Sequence, residues 1–191
     1  VLDSGAANIV VKEDMLKTAL ESLSVKPAVV ITDSQAFGAV SKITPKDIKL
    51  TSFSILMANF KGMLETAVHG AAAMDKLKSG DRVLIAEGCT HHRQCDDIGS
   101  VKIPKWLREY TGCELDLTIV PGHEFPENLD RYSLVIHCGG CMLTEKEIFS
   151  RMERARKCGV PFTNYGIAIA QMHGILRRSL EVFPDILKIL E

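Results

Sequence analysis

Four of the six cysteines in this 191-residue chain fall in two short segments where thiolate chemistry can be assembled. One segment is Cys89-Thr90-His91-His92-Arg93-Gln94-Cys95-Asp96-Asp97, and the other is Cys138-Gly139-Gly140-Cys141. A C-x-x-C turn brings two sulfurs within reach of one metal or of two adjacent irons. The paired glycines remove Cβ atoms, so that backbone N–H groups can approach and hydrogen-bond the sulfurs. Three chemistries share this pattern. Cys89, His91, Cys138 and Cys141 would make a closed Cys₃His zinc site in an interaction module. Cys138 and Cys141 alone would make a redox dithiol. Cys89, Cys138 and Cys141 would also anchor an iron–sulfur cube whose ligation by thiolate is incomplete. Structural zinc sites usually pair two close-spaced knuckles, whereas here the partner of C-x-x-C is a loose C-x-H followed by carboxylates. That arrangement suits the cube better. Cys113 and Cys158 stand alone and read as small apolar residues. Of the histidines, His91 or His92 is expected near the metal, and His137 behind it or in the core. His69 reads as a surface or interface residue, and His123 and His173 have no ligand pattern around them.

Loops far apart in sequence meet only if the elements beneath them bring them together. Residues 82–86 (R-V-L-I-A) form an apolar run leading into Cys89, and residues 133–137 (S-L-V-I-H) form one leading into Cys138. As neighbouring strands of one parallel sheet they would deliver both loops to the same carboxyl edge, where open α/β sheets bind ligands. The intervening segments alternate accordingly, with a helix over 104–110 and a strand over 114–120. Thr144-Glu145-Lys146-Glu147 reads as a capping box in which both side chains satisfy backbone donors. It opens a helix that stops at Cys158-Gly159 with Pro161 beyond. A short Phe162-Thr163 strand and two C-terminal helices follow.

Upstream, strands are expected at 7–11 and 28–32, with helices after Met15 and near Ser34. The longest helix carries an apolar stripe from Phe53 to Ala71, with Lys61 and Glu65 off the stripe. Its apolar surface, including Met57, Met63 and Ala71-Ala72-Ala73, is wider than one sheet face needs, which points to a homodimer. The fold class is α/β, as two small parallel-sheet βα domains with helices on the sheet faces. Ser79-Gly80-Asp81 divides them, giving residues 1–78 and 79–191. The first unit opens with a strand almost at residue 1 and reads as the remnant of a longer chain.

Composition narrows the class. The chain is 46% hydrophobic and 25% charged, with a formal net charge of -1 and no Lys/Arg block. The electrostatic footprint of nucleic-acid or anionic-membrane binding is missing, and no apolar run approaches the roughly 18 residues of a membrane span. Without a signal-peptide pattern, a cytoplasmic protein with reduced thiols is expected.

Several blocks resemble the HydF family, the GTPases that mature FeFe-hydrogenase. They are Glu87-Gly88-Cys89-Thr90-His91-His92, Asp96-Asp97-Ile98-Gly99, Lys102-Ile103-Pro104-Lys105-Trp106-Leu107, His137-Cys138-Gly139-Gly140-Cys141-Met142-Leu143 and Val160-Pro161-Phe162-Thr163-Asn164-Tyr165-Gly166. Upstream, Ile31-Thr32-Asp33-Ser34-Gln35-Ala36-Phe37 and Leu50-Thr51-Ser52-Phe53-Ser54-Ile55-Leu56 look like the family's middle domain. The resemblance implies a dimerisation domain up to about residue 78 and a cluster-binding domain after it. It implies a 4Fe–4S cluster on Cys89, Cys138 and Cys141. It further implies a scaffold or carrier that takes a two-iron precursor from two radical-SAM maturases and delivers it to the hydrogenase. No G-x-x-x-x-G-K-[ST] phosphate loop occurs in these residues, so they are expected to be non-catalytic. Cys95 is no part of the family pattern and sits one residue before its carboxylate position. The fourth iron is therefore expected on Asp96, with His91 second, and with Asp97 and Cys95 as the other candidates within the loop.

Overall fold

The computed structural model describes residues 5–88, 97–122 and 124–190. It is an α/β structure with two parallel sheets. The smaller sheet pairs β1 (Val29–Thr32) with β2 (Lys49–Ser52) in the register Val30↔Leu50. Helices α1 (Leu16–Ser22) and α2 (Phe37–Ile43) flank these strands in sequence, and α3 (Phe53–Phe60) follows at once. The Ser52 hydroxyl caps α3 by accepting from Ile55 N.

Two expectations fail in this first part. Residues 7–11 form no strand, and Ile9, Val10 and Val11 are exposed. A β-branched run becomes a strand only where a ladder accepts its backbone groups, and among the described residues none does. The single helix expected from Phe53 to Ala71 is two, α3 and α4 (Leu64–Ala71). Gly62, at φ +67°, ends α3 in a Schellman motif, in which Met63 N donates to Ala58 O and Gly62 N to Asn59 O. An apolar stripe continues across such a break, so periodicity alone does not reveal it.

The larger sheet has the order β4-β3-β5-β6, all parallel, formed by β3 (Arg82–Ala86), β4 (Asp116–Val120), β5 (Leu134–His137) and β6 (Phe162–Asn164). Alternate residues of the central strands enter two cores. Val83, Ile85, Leu134 and Ile136 pack with Ile103 and Leu107 of α5 (Ile103–Thr111) and with Ala168 and Ile169 of α7 (Tyr165–Met172). Leu84, Ala86 and Val135 pack with Ile148, Met152 and Ala155 of α6 (Glu145–Lys157) and with Ala67 and Val68 of α4. Coverage of both faces explains why these strands are continuously apolar. The α6 cap forms in half of the expected way: the Thr144 hydroxyl accepts from Glu147 N at 3.2 Å, while the Glu147 carboxylate accepts from Arg151 Nε at 2.9 Å.

The two sheets are joined by close contacts. Helix α4 lies against β6, where Thr163 Oγ1 donates to Ala67 O at 2.8 Å and a Cβ on Gly70 would stand 2.0 Å from Phe162 O. From α8 (Leu176–Ser179), ahead of α9 (Pro184–Leu187), Arg178 donates to the carbonyls of Ser41 (2.9 Å), Thr44 (2.9 Å), Pro45 (2.7 Å) and Ile48 (3.4 Å). No helix among the described residues is long and apolar enough to cross a membrane.

Candidate metal centre

The chain leaves β3 to one side for β4 and returns to the other side for β5. The carboxyl ends of β3 and β5 therefore flank the point where strand order reverses, the usual ligand crevice of an open parallel sheet. Ala86 pairs with His137 there, and Cys138 N extends the ladder by donating to Ala86 O at 2.8 Å. Cys138 is thus fixed to the sheet. Its Sγ accepts from Gly88 N at 2.9 Å and from Gly140 N at 3.3 Å.

Two glycines make this possible. A Cβ on Gly88 would lie 3.1 Å from Cys138 Sγ and 2.8 Å from Leu143 Cδ1. Gly140 has φ +62°, and a Cβ there would stand 2.6 Å from Ile148 Cδ1. Gly139, by contrast, has open space around it. Gly140 begins a turn closed by Leu143 N donating to Gly140 O at 3.0 Å, and exposed Cys141 sits inside that turn.

Cys89, which follows Gly88 in the chain, lies outside the described residues, as do His91, His92, Cys95, Asp96 and His123. Among the described residues no group of three His, Cys, Asp or Glu side chains could hold a metal. What the fold brings together is the Cys138–Cys141 turn and Gly88, the residue next to Cys89. Asp97 caps the π-helical turn Ile98–Lys102, where its Oδ2 accepts from Gly99 N (3.1 Å), Ser100 N (2.8 Å) and Ser100 Oγ (2.9 Å).

Behind Cys138 is a buried polar column that sequence reasoning did not assemble. His137 is fully buried, and its Nδ1 lies 2.7 Å from Cys138 O. Arg151 Nη1 is 3.1 Å from His137 Nε2 and can only donate, so the imidazole proton sits on Nδ1 and is given to Cys138 O. Arg151, 1% exposed, also donates to Glu147 and to Gly122 O (3.2 Å) and lies over the Phe125 ring. The available signal was its place on the α6 stripe beside Ile148, Met152 and Ala155, a charge on an apolar face. The second missed residue is Lys61, whose ammonium donates to Gly140 O at 2.6 Å and to Leu143 O at 3.4 Å. The other side chains have ordinary surroundings: His69 is exposed, His173 stacks edge-on against Trp106, and Cys113 Sγ contacts backbone carbonyls.

Burial, helped by the nearby Arg151 and Lys61 charges, lowers the His137 pKa from 6.5 to about 4, against the Cys138 carbonyl and Glu147, which raise it. In the metal-free chain this group therefore favours the folded state above pH 6.5. As pH falls from 6.5 to about 4 the unfolded chain takes up the proton first, and about 3 kcal/mol of stability is lost. Denaturant melts across that interval should show this acid slope, and His137→Gln should flatten it.

The two described cysteines are of the donor type that an iron–sulfur cluster takes. Cys138 and Cys141 offer soft sulfur ligands, and amide N–H groups already point at Cys138 Sγ, as they do at the thiolates of such clusters. A family model described as the hydrogen maturase F tetramerization domain matches residues 65–182, and one described as the hydrogen maturase F dimerization domain matches residues 1–62. The chain belongs to the hydrogen maturase F (HydF) family. No curated protein matches it. Both HydF domains are named for assembly, and the gap between their matches is Met63 and Leu64, between the Gly62 turn that ends α3 and the body of α4. All of α4 after Leu64 lies within the tetramerization match, consistent with its packing on β6.

Proposed function

We propose that this HydF chain is an iron–sulfur scaffold and carrier in FeFe-hydrogenase maturation, with Cys89, Cys138 and Cys141 as the thiolate ligands. The observation that carries this reading is the pair of amide hydrogen bonds to Cys138 Sγ at the reversal point of the sheet, beside exposed Cys141. When bound, a 4Fe–4S cluster supplies one iron with a weak, exchangeable ligand. Asp96 is the proposed ligand there, with His91 as its rival, because a hard carboxylate holds such an iron loosely. The cargo is a two-iron precursor received from radical-SAM maturases and passed to the hydrogenase. The test is anaerobic reconstitution followed by absorption spectroscopy and metal analysis, expecting roughly four irons and four sulfides per chain. Stoichiometric zinc that iron and sulfide cannot displace would instead establish the Cys₃His alternative.

The first unit is proposed to form a homodimer. Met63, expected on its surface, is 1% exposed and belongs to the core. The apolar stripe of α3 left in solvent is Phe53, Met57 and Phe60, 63%, 39% and 74% exposed. Their i, i+4, i+7 spacing puts them on one helix face. Phe60→Glu should shift the chain toward monomer in sedimentation at micromolar concentration, with cluster content unchanged. Unaltered association would place the interface elsewhere.

A further inference from the structure

Cys141 is presented by a turn, and both end carbonyls of that turn, Gly140 O and Leu143 O, go to one side chain, the Lys61 ammonium (2.6 and 3.4 Å). That ammonium comes from the other unit of the fold, since Lys61 is the C-cap of α3 and lies within the dimerization match. The Schellman motif at Gly62 ends the helix there and fixes the direction in which Lys61 leaves it. Among the described residues no carboxylate is ion-paired with Lys61. Its positive charge is therefore not cancelled by a neighbouring carboxylate among those residues, and it lies against the loop that carries two thiols.

We propose that Lys61 is a positioning residue for the metal site: it staples the Gly140–Leu143 turn that presents Cys141 and sets a fixed positive charge beside the cysteine ligands. The staple needs only the turn, whereas the charge effect rests on the proposed iron–sulfur function. A bound cluster with three thiolates is anionic and gains negative charge on reduction, so a nearby ammonium favours the reduced form. The contact also gives the dimer-forming unit a direct hold on the cysteine loop.

The experiment compares Lys61→Met, Lys61→Gln and Lys61→Arg with the parent in the full chain, after circular dichroism has confirmed folding. In metal-free protein, amide hydrogen exchange over residues 138–143 should be about tenfold faster in Lys61→Met, as expected for loss of a charge-assisted hydrogen bond. Lys61→Gln and Lys61→Arg, which keep a donor, should retain most of the protection. After anaerobic reconstitution, both neutral variants should show a reduced-to-oxidised ratio about fivefold lower at a fixed solution potential, and Lys61→Arg should match the parent. Unchanged exchange in Lys61→Met overturns the staple, and an unchanged ratio in both neutral variants overturns the charge role. A parent chain that assembles no cluster refutes the proposed function, and the exchange measurement still decides the staple. Should Lys61→Met not fold, Lys61→Gln and Lys61→Arg still decide the charge role, and Lys61→Ala, which also removes the donor, takes the place of Lys61→Met in the exchange measurement.

Discussion

Replacement of Cys138 by alanine is expected to reduce iron in the anaerobically reconstituted chain to background, while Cys113→Ala and Cys158→Ala load like the parent. Cys138 is held from three directions: its own N–H lies in the ladder, and its sulfur receives the Gly88 and Gly140 amides. Substitution removes the ligand and also the acceptor on which those two N–H groups converge. Serine should not restore loading, because a hydroxyl is a hard ligand with little affinity for iron in a sulfide cube. Cys113 Sγ instead contacts the carbonyls of Leu77 and Thr111, and Cys158 caps the end of α6. Parallel metal and sulfide analyses of the three variants make the comparison. Iron retained in Cys138→Ala would remove the proposed site altogether.

Arg151→Met should be among the most destabilising single changes outside the cysteines, by about 3–5 kcal/mol, the usual consequence of breaking a buried charged network by removing one partner. Methionine fills much of the volume but leaves His137 Nε2 and Gly122 O without the donor they have now. Arg151→Lys should recover only part of the loss, since a single ammonium cannot reach Glu147, His137 and Gly122 in the planar fork that guanidinium provides. Urea denaturation of the metal-free protein should show a lower midpoint at unchanged slope. A loss below about 1 kcal/mol would mean that water replaces the guanidinium in the core.

The sequence made the larger sheet legible because its central strands, β3 and β5, are apolar runs that lead into glycine-bearing loops. The same runs placed Cys138 at a strand end, and the register then put it beside Gly88. The first unit was harder to read. Residues 7–11 have strand composition but no partner among the described residues, and composition cannot supply a ladder. Gly62 was hidden within an unbroken apolar period, and with it the direction of Lys61, which a continuous helix would have left off the stripe. The column behind Cys138 was out of reach for another reason. It depends on contacts among β5, α6 and the segment after β4, which no local pattern encodes. Cys89, His91, Cys95 and Asp96 lie outside the described residues, so the fourth ligand rests on the chemistry of the loop and on the family's carboxylate position.

The carbonyls that Arg178 gathers from residues 41–48 have a consequence for the order in which the chain is made. During synthesis the segment from Ser41 to Ile48 leaves the ribosome long before the guanidinium that will satisfy it. Until then the hydrogen bonds of the guanidinium are left to water, only the local turn from Ile48 N to Pro45 O can form, and the corner between α2 and β2 is unfinished. The part of the chain that matches the dimerization domain would thus acquire its final surface only after the cysteine loops have emerged, so pairing through it would come late, when the half that carries those loops is already present to be paired.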